Sequence, residues 1–191
     1  MPDNAHSLID FMTVEPLDRD LYRGQSRDLN TGQVYGGQVL GQAIKAALHT
    51  VDPERQLRSA HAYFLLKGDV SAPIIYEVDR SLDGGSVSSR RVVAIQHGRQ
   101  ILHLSASFQT AEPGLEYQPQ TELPLAALEE ALADDLPSLN HFQGEYLDAY
   151  YLPIEQRTNP GGMQLWIKTK EALPDDPDAH NSVLAYISDM G

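Results

Sequence analysis

The stretch NTGQVYGGQVLGQAIKAALHTVDP, residues 30–53, constrains the chain more than any other. Leu40, Ala43, Ile44, Ala47 and Leu48 recur at the spacing of one helix face, while Gln38, Gln42, Lys45 and His49 mark an opposite polar face. Pro53 ends the pattern. Four strand-like segments follow, at 58–66, 74–82, 86–96 and 100–109. The last alternates strictly, with Leu102, Leu104, Ala106 and Phe108 on one side and His103, Ser105, Ser107 and Gln109 on the other, so one of its faces is dry. The segments Asp83–Gly85 and His97–Gly98 read as hairpin turns that use the positive φ open to glycine. Before the helix, DLYRGQSRD (20–28) reads as a short strand running into a turn after a polar lead-in. One helix followed by an antiparallel run of strands predicts an α+β fold in which a sheet wraps around one long, largely buried helix.

Three glycines complicate that helix. Gly36, Gly37 and Gly41 each cost about 1 kcal/mol relative to alanine in a helix interior, so their presence near its start implies close backbone approach. One reading is tight packing beneath the sheet. The other is that N–H groups at the helix N-terminus polarise a ligand oxygen, which makes Gly36, Gly37 and Gln38 candidate substrate-binding positions.

Past residue 110 the pattern becomes linker-like, with an acidic amphipathic piece at 125–132 expected to form a short surface helix. Strand candidates return at 144–153 and 161–174, and then DDPDAHNSVLAYISDMG begins a second helix with Asp176 as N-cap and Pro177 at its first position. Val183, Leu184, Ile187 and Met190 are expected to form its apolar stripe. A stripe of that kind needs a sheet to cover it, and no further strands follow within the 191 residues. The expected organisation is a complete unit at 1–112, a linker at 113–142 and an incomplete second unit at 143–191.

Composition removes several function classes. Without cysteine the chain has no disulfide, thiolate zinc site or cysteine nucleophile. A net charge of −13 argues against a nucleic-acid partner. That charge is uneven: residues 1–110 hold 11 Lys and Arg against 12 Asp and Glu, whereas residues 111–191 hold 3 against 15. An anionic ligand is therefore better tolerated by the first segment, where Lys67, Arg90, Arg91 and Arg99 lie. No apolar run is long enough for a membrane span, and MPDNAHSLIDF lacks the order of a signal peptide, so a cytoplasmic protein is expected. His61 and His103 stand alone on strands, which suggests neither a metal nor any other cofactor, and neither Ser26 nor Ser86 completes a nucleophile elbow.

Taken together, LYRGQSRDLNTGQVYGGQVLGQA, HAYFLLKGD, PIIYEVDRSLDGGSVSSRRVVAIQHG and SASFQ resemble the N-terminal half of type II acyl-CoA thioesterases, which are built from two fused hotdog units. The resemblance implies a hotdog fold and hydrolysis of fatty acyl-CoA to fatty acid and CoA, within fatty acid metabolism. It also implies a water-activating trio: an Asp on the second hotdog helix, with a Thr and a Gln from later strands. Asp189 stands at the position of that aspartate and becomes the candidate catalytic residue, whereas helical periodicity alone would place it opposite Val183 and Ile187 as a solvated carboxylate. No Thr or Gln segment follows it within the 191 residues, so the resemblance implies a truncated second unit and impaired hydrolysis. The alternative is a non-catalytic hotdog module that binds acyl-CoA or a partner chain. Edge-to-edge pairing of hotdog sheets makes a homo-oligomer the expected assembly.

Overall fold

The computed structural model describes residues 7–115, 117, 141–143, 145–151, 162 and 164–190. The chain forms two compact units, one of Met1–Glu112 with Leu173–Met190 and one centred on Pro113–Ala172.

In the first unit, a helix α1 (Leu8–Met12) precedes strands β1 (Glu15–Asp18) and β2 (Leu21–Gly24), the long helix α2 (Gly36–Leu48), and strands β3 (Arg55–Phe64), β4 (Ile74–Asp83), β5 (Val87–Gln96) and β6 (Arg99–Thr110). The strands make one antiparallel sheet in the order β1-β2-β4-β5-β6-β3, which leaves β3 at an edge. The sheet covers α2 as the periodicity predicts. Ala43, Ile44, Ala46 and Ala47 are fully buried against a core that includes Tyr76, Leu102, Leu104 and Phe108.

The expected polar face of α2 reaches solvent at Lys45 and His49 but not at its two glutamines. Gln38 and Gln42 are both fully buried. Gln42 donates from Nε2 to the carbonyls of Phe11 (2.9 Å) and Gln25 (3.1 Å), and its Oε1 accepts from the Tyr76 hydroxyl at 2.8 Å. Gln38 donates to the same Gln25 carbonyl. The amide N–H groups satisfy carbonyls of the last turn of α1 and of the chain just past β2, while Gln38 Oε1 is left without a partner among the described residues. The lead-in also contributes: the Ser7 hydroxyl accepts from the Asp10 N–H at 3.1 Å to cap α1, which buries Leu8, Phe11 and Met12.

Of the two expected glycine turns, one is built as predicted. His97 and Gly98 take φ of 50° and 71°, the pair of positive values that a two-residue hairpin requires. Gly84 and Gly85 adopt no positive φ. That connection is held instead by Gly84 N–H donating to Val87 O at 2.9 Å and by the Arg55 guanidinium on the Gly84 and Gly85 carbonyls at 2.7 and 2.9 Å. Arg90 is likewise no surface cation. It is 1% exposed and donates to Thr50 Oγ1 (2.8 Å), Thr50 O (2.9 Å), Leu82 O (2.9 Å) and the Asp83 carboxylate, which fixes the C-terminal end of α2 to the sheet.

The last helix of the chain, α3 (Pro177–Ile187), starts where expected: the Asp176 side chain accepts from Asp178 N–H at 3.1 Å and Pro177 follows. It packs inside the first compact unit, antiparallel to α2, rather than with the strands that precede it. Its buried face is Ala179, Ser182, Val183 and Tyr186. Leu184, predicted as part of the stripe, is 64% exposed, and Ile187 and Met190 are half-buried. Contact with a neighbouring helix selects residues three and four apart, here Ala179, Ser182, Val183 and Tyr186, which shifts the buried face away from Leu184.

Gly37 and Gly41 supply the other half of that contact. A Cβ at Gly37 would overlap the Tyr186 carbonyl oxygen and the Tyr35 ring, and one at Gly41 would strike Met12 Sδ and lie 3.0 Å from Ser182 O. The close packing read from these glycines therefore exists, but against a second helix backbone and not the sheet.

The second unit carries a three-stranded antiparallel sheet, β7 (His141–Gln143), β8 (Leu147–Tyr151) and β9 (Leu165–Thr169), in that order, with Leu147 and Ala149 buried. The strands expected at 144–153 and 161–174 correspond to β8 and β9. The helix expected at 125–132 lies outside the described residues.

Replacing Gly37 by alanine tests the helix contact. Helix propensity favours the change by up to about 1 kcal/mol, whereas forcing a methyl group against backbone costs roughly 1–3 kcal/mol, so a net loss of roughly 1–2 kcal/mol is expected in urea denaturation. Gly85→Ala, where an added Cβ meets nothing within 4 Å, should change the midpoint little.

Candidate functional site

Because α2 and α3 run antiparallel, the N-terminus of one meets the C-terminus of the other. Tyr35, the N-cap of α2, donates its hydroxyl to Tyr186 O at 2.9 Å, and the two rings pack edge to face at 5.0 Å. The last turn of α3 closes through Ser188 N–H to Leu184 O and Met190 N–H to Ile187 O, both 2.9 Å. Asp189 sits in that closing turn. Its carboxylate is directed at the first turn of α2: a Cβ on Gly36 would lie 2.5 Å from Oδ2, and the Gly37 N–H hydrogen-bonds to the carboxylate.

This position has two opposing electrostatic effects. Partial burial of the carboxyl end disfavours its charge and raises the pKa above the ordinary aspartate value, while the Gly37 N–H pulls it back; burial prevails. The residue as a whole stays exposed. Tyr35 is pushed upward too, first by its own burial and then by the Asp189 charge and by Tyr186, so its hydroxyl remains a donor.

Asp189 and Gly36 line a cleft of about 370 Å³, a size within the range of small-molecule sites. Its apolar wall is Val34, Val39, Phe64, Leu65, Leu66 and Ile101; Gln33 and Lys67 add polar groups. The wall is fixed by backbone pairing: Leu65 and Leu66 N–H both donate to Ile101 O (2.9 and 3.3 Å), and Val34 N–H donates to Gly68 O at 3.0 Å. A carboxylate at the mouth of an apolar cleft can hold a water and take its proton. The adjoining helix N-terminus favours negative charge on a nearby oxygen.

Of the residues predicted for the site, Gly36, Gly37 and Asp189 come together. Gln38 does not join them, because its side chain is buried on the Gln25 carbonyl, one residue round the helix from the cleft. His61 and His103 flank the exposed Tyr63 ring at 4.8 and 5.2 Å, and no cluster that could hold a metal exists among the described residues. The Ser26 hydroxyl donates to Ala72 O at 2.6 Å. Sequence reasoning missed Tyr35 and the Phe64–Leu66 wall. A signal for the wall existed: four consecutive large side chains, Tyr63, Phe64, Leu65 and Leu66, break the alternation of a one-sided strand.

Burial raises the folded-state pKa of Asp189, so its protonated form is the one the fold favours. Its stabilising contribution is present below the unfolded pKa and is lost as pH rises through the folded value. Asp189→Asn keeps an acceptor for Gly37 N–H and removes the charge. At neutral pH the variant should unfold at an equal or higher urea concentration than the parent, with the gap closing by about pH 3.

The sequence matches the family described as "Acyl-CoA thioesterase N-terminal domain" over residues 25–109. It is 36% identical to "Acyl-CoA thioesterase 2" of Haemophilus influenzae, over 100% of this chain and 72% of that protein. Among solved structures it is similar to "an Acyl-CoA thioesterase II TesB2 from Mycobacterium marinum", with a TM-score of 0.77, 36% identity and coverage of 95% of this chain and 66% of that one. A protein of unknown function with a "Hot dog Fold" from Alicyclobacillus acidocaldarius shares the fold at a TM-score of 0.67 and 17% identity, over 95% of this chain and 67% of that one. The chain thus spans about two thirds to three quarters of the length of these proteins. No described helix is long and apolar enough to cross a membrane. With an antiparallel sheet around a central helix and this degree of identity along its whole length, the chain belongs to the acyl-CoA thioesterase family, with the hotdog fold.

Proposed function

We propose that the cleft between Phe64–Leu66 and Asp189 binds a fatty acyl-CoA thioester and that Asp189 orients the water that hydrolyses it. The observation that carries this reading is a carboxylate of raised pKa placed at the mouth of an apolar cleft, against the N-terminus of α2, in a chain of thioesterase family. The water oxygen attacks the thioester carbonyl while its proton passes to Asp189. Collapse of the tetrahedral intermediate breaks the C–S bond, and the sulfur leaves as thiolate or takes up the proton as free thiol. A raised pKa makes Asp189 a stronger base than an aspartate in water, and the dipole of α2 with the Gly36 N–H stabilises the oxyanion. Gly36 and Gly37 take part through their backbone; Gln38 supports them from the core.

The threonine and glutamine that the family resemblance implies on later strands are not among the 191 residues, so this polypeptide alone is expected to turn over slowly. The protein is read as cytoplasmic, acting in fatty acid metabolism. Edge strand β3, which pairs on one side only among the described residues, supports assembly into a homo-oligomer.

Release of thiol from palmitoyl-CoA, followed with a thiol reagent, tests the proposal. Slow turnover above background that falls to background in Asp189→Asn is expected. Turnover at ordinary enzyme rates, roughly 10 per second, would show that the later threonine and glutamine are dispensable. Turnover unchanged by Asp189→Asn would remove the aspartate from the mechanism.

A further inference from the structure

Among the described residues, Lys67 is the one basic side chain that lines the cleft with Asp189. Three arginines of the unit are matched to carboxylates, Arg23 with Glu15, Arg80 with Asp20 (2.7 Å) and Arg90 with Asp83, and none of the three lines the cleft. Lys67 forms no ion pair among the described residues. The nearest acid in sequence, Asp69, is engaged elsewhere: its carboxylate accepts from the Ser71 N–H (2.8 Å) and hydroxyl (2.6 Å) and meets His97 Nε2 at 2.8 Å.

The backbone under this lysine is pinned on both sides. Leu65 and Leu66 N–H hold Ile101 O, Gly68 O accepts from Val34 N–H, and Asp69 N–H donates to the buried Gln96 Oε1 at 2.8 Å. Gly68 presses so closely on Val34 that a Cβ there would come within 2.8 Å of Val34 Cβ. A flexible lysine on a mobile loop would give little selectivity; here only the side chain beyond Cα is free to move. The cleft therefore presents an apolar wall, an exposed carboxylate and, on a fixed backbone, an exposed ammonium with no ion pair among the described residues.

Resting on the reading of this cleft as an acyl-thioester site, we propose that Lys67 binds a phosphate on the thiol portion of the substrate and so selects phosphorylated thioesters over simple ones. In a chain of net charge −13, a polyanionic substrate approaches against an unfavourable field. One cation at the cleft mouth reduces that repulsion locally and anchors the substrate with its carbonyl toward Asp189. As a compact, strongly hydrated point charge, an ammonium suits a phosphate in more than one orientation.

Binding separates this inference from the hydrolysis it rests on. Two non-hydrolysable thioethers, S-decyl-CoA and S-decyl-pantetheine, share the alkyl chain and differ in phosphate; their affinities for the full 191-residue chain are measured by calorimetry. S-decyl-CoA should bind more tightly. Lys67→Ala should weaken it about tenfold, Lys67→Glu further, and Lys67→Arg should retain most of the affinity, with S-decyl-pantetheine unchanged throughout. The preference for S-decyl-CoA should shrink as salt is raised above about 0.1 M. Equal binding of S-decyl-CoA by the parent and Lys67→Glu, or an equal loss for both ligands, would overturn the role of Lys67 while leaving the cleft an acyl site. If neither thioether binds the parent, the thioester reading of the cleft falls and the lysine's role with it.

Discussion

Everything at the site depends on how closely two helix backbones approach. Gly37 and Gly41, four residues apart on α2, let α3 approach: Tyr186 O occupies the space a methyl on Gly37 would need, and at Gly41 Met12 Sδ fills that space with Ser182 O 3.0 Å away. The contact is polar as well as close. Tyr35 donates across it to Tyr186 O, and the buried Ser182 hydroxyl is satisfied by Asp178 O at 2.8 Å within its own helix. Since Asp189 lies three residues beyond Tyr186, the separation of the helices sets where the carboxylate falls. The two readings of the glycines, packing and function, are then one: the absent Cβ atoms that let α3 in also let Gly36 and Gly37 present bare backbone to Asp189.

Such a contact positions a carboxylate only if α2 is itself immobile, and buried polar groups fix it at both ends. At its start, Gln38 and Gln42 share the Gln25 carbonyl, and Gln42 also reaches Phe11 O and the Tyr76 hydroxyl. At its end, Arg90 holds the Thr50 hydroxyl and carbonyl and ties them to the Leu82 and Asp83 side of the sheet. Each neutral hydrogen bond contributes only about 1 kcal/mol net, but an unsatisfied buried partner costs roughly 1–3 kcal/mol, so these networks penalise displacement more than they add stability. Direction explains why they recur: apolar packing around Ala43 and Ala47 tolerates sliding, whereas a bidentate amide or a guanidinium with five acceptors does not.

The sheet-wrapped helix was legible because its physics is periodic. Leu102, Leu104, Ala106 and Phe108 bury to between 0% and 3%, and a strict alternation of that kind has one structural solution. Where periodicity was not the deciding force, the sequence misled. Glutamine reads as solvent-facing, yet Gln42 is buried because the Phe11 carbonyl in the last turn of α1 and the Gln25 carbonyl just past β2 take donors that no local pattern announces. Arg90 reads as a free cation for the same reason. In α3 the large aliphatics suggested a stripe through Leu184, but a helix neighbour at glycine distance accepts Ala179 and Ser182 and leaves Leu184 outside. Asp189 is a different case. Nothing local distinguishes it from a solvated helix-end carboxylate; only the family resemblance pointed to it, because its surroundings come from residues some 150 positions earlier.

The apolar wall of the cleft has its own physical logic. Phe64, Leu65 and Leu66 remain 50%, 46% and 40% exposed, at the end of an edge strand whose neighbouring residues are also open to water. Leaving large side chains half-wet forgoes about 1 kcal/mol each relative to full burial, a sizeable fraction of the stability of a small domain. Their backbone is nonetheless fixed, by two N–H groups converging on Ile101 O and by Val34 on Gly68, so the exposure is not that of a loosely packed end. A preformed wet apolar surface gains what the fold forgoes when a ligand covers it, at about 0.8 kcal/mol per methylene buried, and it does so without a cost for ordering the wall. On the proposed reading an acyl chain is that ligand. The same surface then provides affinity that grows with chain length, while Lys67 and Asp189 at the mouth act on the phosphorylated thiol and on the reacting carbonyl, groups that do not change with acyl length.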